Sequence, residues 1–157
     1  MNLREMMQAP LPNITSQKRL MYRPSHDEVV SLYGVINNTL FGGVLSIPKI
    51  ELCPRLRLCW GICHASWDKM EQSDTYCEKI KLIDKWSCKQ WLIAVLAHEI
   101  VHLYQWDIDR EHREAIGKKP IMSHGPSFFA HRERLAEYGI PLSKYLSKEK
   151  WFKRQTF

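Results

Sequence analysis

The sequence predicts an α+β domain: a first helix, a three-stranded antiparallel sheet, a buried central helix and a closing helix. Three observations predict it. A capped stretch after Ser25 repeats its apolar residues at helical spacing. Three short β-prone runs follow it, and a second capped stretch that reaches Tyr104 is apolar almost all round.

Each element has its own signal. Residues 1–24 are punctuated by Pro10, Pro12 and Pro24, lack clear periodicity and read as an arm that is mobile unless docked. Ser25-His26-Asp27-Glu28 is a capping box, with Ser25 as N-cap and Glu28 reaching back. Val29, Leu32, Val35, Ile36 and Leu40 then fall on one helical face, and Gly42-Gly43 ends the helix. The β-prone runs are residues 49–52, 57–64 and 75–83. In the last, Tyr76, Glu78, Ile80 and Leu82 alternate against Cys77, Lys79, Lys81 and Ile83. Ser87-Cys88-Lys89-Gln90 forms a second capping box, opening a helix whose apolar residues run from Trp91 to Tyr104. Residues 107–119 are charged and read as a surface excursion. A last helix is expected from Pro126, carrying Phe128, Phe129, Leu135 and Tyr138 and stopped by Gly139 and Pro141. The domain is thus expected over 25–140, with a basic tail at 141–157.

Composition bounds the class. The chain has 157 residues, of which 45% are hydrophobic and 25% charged, too apolar for a disordered chain and too charged for a membrane bundle. Its longest apolar run, Trp91 to Ala97, is too short to span a bilayer, so no membrane role is expected. The formal net charge of +6 makes a polyanion, nucleic acid first, a plausible partner. Five cysteines cannot all pair internally, and the first twelve residues lack the apolar core of a signal peptide, so a cytoplasmic location is expected. Cys59 and Cys63, with His64 adjacent, raise a metal clip, but no second close pair exists; buried thiols are the simpler reading.

The chemistry lies in His98-Glu99-Ile100-Val101-His102 on the central helix. Histidines at i and i+4 share a helical face and can hold one zinc ion. Zinc acidifies a bound water, and Glu99, at the edge of that face, can take its proton without ligating the metal. This is the arrangement of zincin metalloproteases. The alternative is a pair of satisfied core histidines beside a structural Glu. A catalytic zinc needs a third protein ligand. His112, His124 and His131 are candidates; His124, at a loop-to-helix junction, is the best placed, while Glu133 and Glu137 fit only a scheme in which a later helix donates Glu.

Beyond the zinc helix, three further segments resemble the SprT-like family, which includes the Spartan proteases of DNA–protein crosslink repair. Residues 37–45, Asn-Asn-Thr-Leu-Phe-Gly-Gly-Val-Leu, resemble the family's helix ending, with its N-x-x-x-F-x-G-x-L pattern. Residues 57–63, with Gly61 amid small residues, resemble its second strand. Ser123-His124-Gly125-Pro126-Ser127-Phe128 matches the H-G-x-x-F that supplies the third ligand. The resemblance covers about residues 25–138. It implies a minimal zincin-like metalloprotease domain, a small sheet packed on a zinc-binding helix, with His98, His102 and His124 as ligands and Glu99 as catalytic base. The chain departs from members that carry a C-terminal zinc ribbon, since no Cys follows residue 88. Any DNA contact is then expected from the domain itself, its arm and its tail.

The expected function is that of a zinc metalloendopeptidase acting on DNA-associated or DNA-crosslinked proteins, in the cytoplasm or at the nucleoid. Lys144, Lys148, Lys150, Lys153 and Arg154, with Trp151 among them, combine phosphate-binding charge with a stacking surface suited to single-stranded DNA. The alternative for this tail is a solvated segment whose Trp docks on the core. Trp60 or Trp67 could line a substrate groove, and residues 57–64 or 75–83 could supply a sheet edge for an extended peptide. Tyr104, Arg113 and Arg132 are candidates for stabilising an oxyanion. Two rival functions remain: a zinc-bearing DNA-binding accessory module with little proteolysis, and a peptidase with no nucleic-acid role. The oligomeric state is left open.

Overall fold

The structure is a computed structural model that describes residues 2–11, 22–57, 59–65, 77–109, 124–145 and 147–149. Its elements are α1 (Leu3–Gln8), α2 (His26–Phe41), β1 (Lys49–Cys53), β2 (Gly61–Ala65), β3 (Cys77–Ile83), α3 (Lys89–Tyr104), a π-helical turn (Gln105–Asp109), α4 (Pro126–Phe129) and α5 (Arg132–Ala136). The fold is therefore α+β, with a three-stranded sheet and several helices.

The sheet corrects one expectation. Its order is β1-β3-β2, and β1 runs parallel to β3, so the sheet is mixed and not antiparallel throughout. The chain enters at one edge, passes to the other, and returns through the middle. The antiparallel pair is β2 with β3, which sets Gly61 opposite Leu82 and Cys63 opposite Ile80. On the other side Ile50 pairs with Ile80 and Leu52 with Leu82. The alternation expected in β3 holds: Ile80 and Leu82 are fully buried, while Lys79 and Lys81 are half-buried. Because β3 is central, it offers no edge; β2 is an edge strand among the described residues.

Helix α2 begins as expected, with Ser25 Oγ accepting from the Glu28 backbone N–H at 3.1 Å. The Glu28 carboxylate accepts from the hydroxyls of Ser25 and Tyr22. At the other end Gly42 and Gly43 take φ of 63° and 72°, the left-handed region that glycine enters without cost. Buried Asn37 pins the chain that follows: its Nδ2 donates to Leu45 O at 2.9 Å, and its Oδ1 accepts from Leu45 N at 3.3 Å. Tyr33 Oη donates to Ser46 O at 2.6 Å. Asn37 and Leu45 thus have a local task, steering the chain from α2 into β1.

Helix α3 is the centre of the molecule, with all of Trp91–Ala97 at 0% exposure. Its N-cap is Cys88, with no side-chain cap, so the second capping box does not form. Gln90 instead donates from Nε2 to Ala9 O at 2.9 Å. That bond ties α3 to the N-terminal segment, which is no loose arm where it is described. Asn2 and Glu5 make a capping box for α1, and Leu3 and Met6 are buried in the core. The core also crosses the expected boundary at residue 140, since Leu142 is buried beside Ile140. The single closing helix is replaced by α4 and α5, with His131 as N-cap of the second. Among the described residues, no helix is long and apolar enough to cross a membrane.

Candidate metal centre

His98 and His102 are one turn apart on α3, and His124 enters two residues ahead of α4. Pro126 at the start of α4 fixes that entry, since its ring favours a helix's first turn. Among the described residues, these three histidines form the group able to hold a metal ion, with ligand atoms all within 4.8 Å of one another. His98 Nε2 lies 3.3 Å from His102 Nε2 and 3.4 Å from His124 Nε2. Two nitrogens bound tetrahedrally at about 2.0–2.1 Å sit about 3.3–3.4 Å apart, so the spacing fits a shared ion.

The cluster is held from below and behind. Phe128 is fully buried, and its ring centroid lies 4.9 Å from His98, 4.8 Å from His102 and 4.8 Å from His124. It stacks on His102 and meets the other two edge-on. Burial, with His102 and His124 nearby, pushes His98 down to about 3. Burial, then Lys144, also lowers His124. Both rings are thereby kept neutral, the form that ligates a metal.

Glu99 is 6% exposed and lies on the sheet side of α3. Burial pushes its carboxyl up to about 7, against the pull of a hydrogen bond from the Cys63 backbone N–H. Strand β2 approaches this part of the helix very closely. A Cβ on Gly61 would stand 2.9 Å from Leu82 Cδ2, 3.1 Å from Val95 Cγ1 and 3.4 Å from Glu99 Cγ. The Gly amid small residues therefore lets β2 lie against the carboxylate.

Histidines and carboxylate open into one cleft of about 700 Å³. Trp60, Ile62 and Trp106 line its walls, and Lys144 and Tyr145 stand at its C-terminal side. Trp60 is wedged against Trp86 and Trp91 at centroid distances of 5.7 and 6.1 Å, and Lys148 Nζ lies 5.4 Å from the Trp60 ring. Of the basic tail residues, Lys144 and Lys148 thus meet the cleft or its wall; Lys150, Trp151, Lys153 and Arg154 lie outside the described residues, as do Trp67, His112 and Arg113.

Other candidates are placed elsewhere. His131 is buried between the rings of Phe41 and Tyr104 and contacts Arg134. Tyr104 packs there too, while Arg132 covers Phe129 at 4.4 Å and donates to Leu142 O, so neither lines the cleft. Glu133 and Glu137 are exposed on and beside α5. The described cysteines form no disulfide, and none joins a metal-binding group. Gln105 is an unexpected member of the site: fully buried, it meets His102 Nδ1 through Oε1 at 2.8 Å. Its place three residues after His102, on the same helical face, was the available signal. No family model matches the chain, and no curated protein matches it.

Proposed function

We propose that this protein is a zinc-dependent endopeptidase of SprT-like type, and that its substrates are DNA-associated proteins. The observation that carries the reading is the convergence of His98, His102 and His124 at tetrahedral spacing beside a buried Glu99, all in one open cleft. Imidazole nitrogens favour zinc over hard cations, and three ligands leave a fourth position for substrate or water. When bound, zinc supplies Lewis acidity to a water and to the scissile carbonyl. The chain's own residues do the rest. Glu99 takes up the proton of the attacking water and later gives it to the leaving amine. Burial raises its affinity for protons, and the charge of a bound ion would act in the opposite sense, favouring the carboxylate. The Cys63 N–H and the close packing of Gly61 hold that carboxylate in place.

The position of β2 supports an extended peptide laid along it, since Gly61, Ile62 and Cys63 all face the cleft. Such backbone pairing tolerates many sequences, as cutting of varied crosslinked proteins requires. The DNA part of the proposal rests on the +6 charge, the family resemblance, and Lys144 and Lys148 beside the cleft. The cytoplasm or nucleoid is the favoured location.

The test is cleavage of a basic DNA-binding protein with and without single-stranded DNA, by wild type and Glu99→Gln. Wild type is expected to cut, faster with DNA and less so as salt rises. Glu99→Gln is expected to keep its zinc and fold and lose at least about a hundredfold in rate, as expected for loss of a general base. Equal cutting by the variant overturns the assignment of Glu99. No cutting by zinc-loaded wild type favours an accessory DNA-binding module, and indifference to DNA and salt favours a peptidase without a nucleic-acid role.

A further inference from the structure

The rings face one another through their Nε2 atoms, which leaves the Nδ1 atoms of His98 and His102 on the far side of each ring. His98 Nδ1 is buried and has no hydrogen-bond partner among the described residues. His102 is different: its Nδ1 lies 2.8 Å from Gln105 Oε1. The Gln105 amide is fully buried, and its Nε2 donates to Ser127 Oγ at 3.0 Å. An amide oxygen can only accept. His102 must therefore carry its proton on Nδ1, which leaves the Nε2 lone pair facing the other two histidines. A reversed amide would present N–H to Nδ1 and drive the proton to Nε2, closing that ring to a metal.

The second bond matters as much as the first. Gln105 opens the π-helical turn that ends α3, and Ser127 lies in α4, three residues past His124. One side chain thus links the helix bearing two histidines to the segment bearing the third. We propose that Gln105 is a positioning residue for the metal centre: its carboxamide fixes His102 as the Nδ1–H tautomer, and through Ser127 it holds α4 in register with α3. This inference rests on the reading that the three histidines bind zinc. Partners that orient a ligating histidine typically contribute about 10–100-fold to metal affinity.

The experiment uses the full chain stripped of metal. Zinc affinity is measured by competition with a chromophoric chelator, and the His102 ring nitrogens are followed by ¹⁵N NMR at pH about 8, above the ordinary imidazole range. Gln105→Leu is expected to weaken zinc binding by about 10–100-fold and to spread the His102 proton over both nitrogens. Gln105→Glu still accepts from Nδ1–H and can accept from the Ser127 hydroxyl, so it is expected to stay within a few-fold of wild type. Ser127→Ala is expected to weaken zinc binding by a few-fold, and it keeps the test decisive if Gln105→Leu does not fold. Wild-type zinc affinity in a folded Gln105→Leu, in Ser127→Ala if the Leu variant does not fold, or a wild-type His102 protonated on Nε2, overturns the proposal. A wild-type chain that binds no zinc overturns the metal reading instead, and the NMR spectrum still reports on the Gln105 link.

Discussion

Gly61→Ala probes a narrow gap, where β2 lies against α3 beside Glu99. The added Cβ would stand 2.9 Å from Leu82 Cδ2 and 3.1 Å from Val95 Cγ1. Comfortable carbon–carbon contact is about 3.5–4.0 Å, so both contacts are too close by about 0.4 Å or more. Leu82 and Val95 are fully buried in a close-packed core, so the strand lifts or the side chains shift to make room. Overpacking of this kind costs about 1–3 kcal/mol. Gly61 is not in the left-handed region, so alanine suits its backbone and recovers about 0.4–1 kcal/mol by restricting the unfolded chain. The net is a destabilisation centred on about 1.3 kcal/mol, or a fall in Tm of about 3–5 °C for a chain of this size. Thermal unfolding followed by circular dichroism measures it. Neither clash involves a histidine, so zinc affinity should stay within about twofold, while cleavage falls because the Cys63 N–H is displaced from Glu99. A Tm equal to or above that of wild type would refute the claim that this glycine exists for space.

Two further predictions concern the frame around the site. Asn37→Ala strands Leu45 N and Leu45 O in a buried place, and at about 1–3 kcal/mol for each unsatisfied group the fold should lose about 2–6 kcal/mol; chemical denaturation checks it, and a loss below about 1 kcal/mol would mean water replaces the amide. Burial, then Arg134, pushes His131 from its ordinary 6.5 down to about 4, so the unfolded chain takes up this proton first as the pH falls. Its contribution is intact above about 6.5 and is lost between about 6.5 and 4. His131→Phe should therefore lose less stability than wild type between those two pH values, and parallel pH profiles would contradict it.

The sequence made legible whatever rests on local pattern. The His98–His102 pair and the limits of α3 follow from helical spacing, and His124 stood out by its place before Pro126. What it hid was long-range or locally ambiguous. Strand pairing depends on which partner lies alongside, and nothing within residues 49–53 marks β1 as parallel to β3. The capping pattern at Ser87 failed because tertiary contact recruited Gln90 to Ala9. Helix α1 did carry a signal, Asn2 followed by Glu5 ahead of apolar Met6 and Met7, but the prolines after it obscured the pattern. Phe128 was visible as an apolar helix residue; its contact with three imidazoles at once required the fold.

The central claim is that three histidines from two separate segments share one zinc ion. Its most direct test is zinc titration of the metal-stripped chain against a chromophoric chelator, with wild type beside His124→Ala. The account predicts one tightly bound equivalent for wild type. It predicts a loss of about a hundredfold or more in affinity for the variant, since a ligand contributes roughly 3 kcal/mol. Wild-type affinity in His124→Ala, or no tight zinc in wild type, would contradict it.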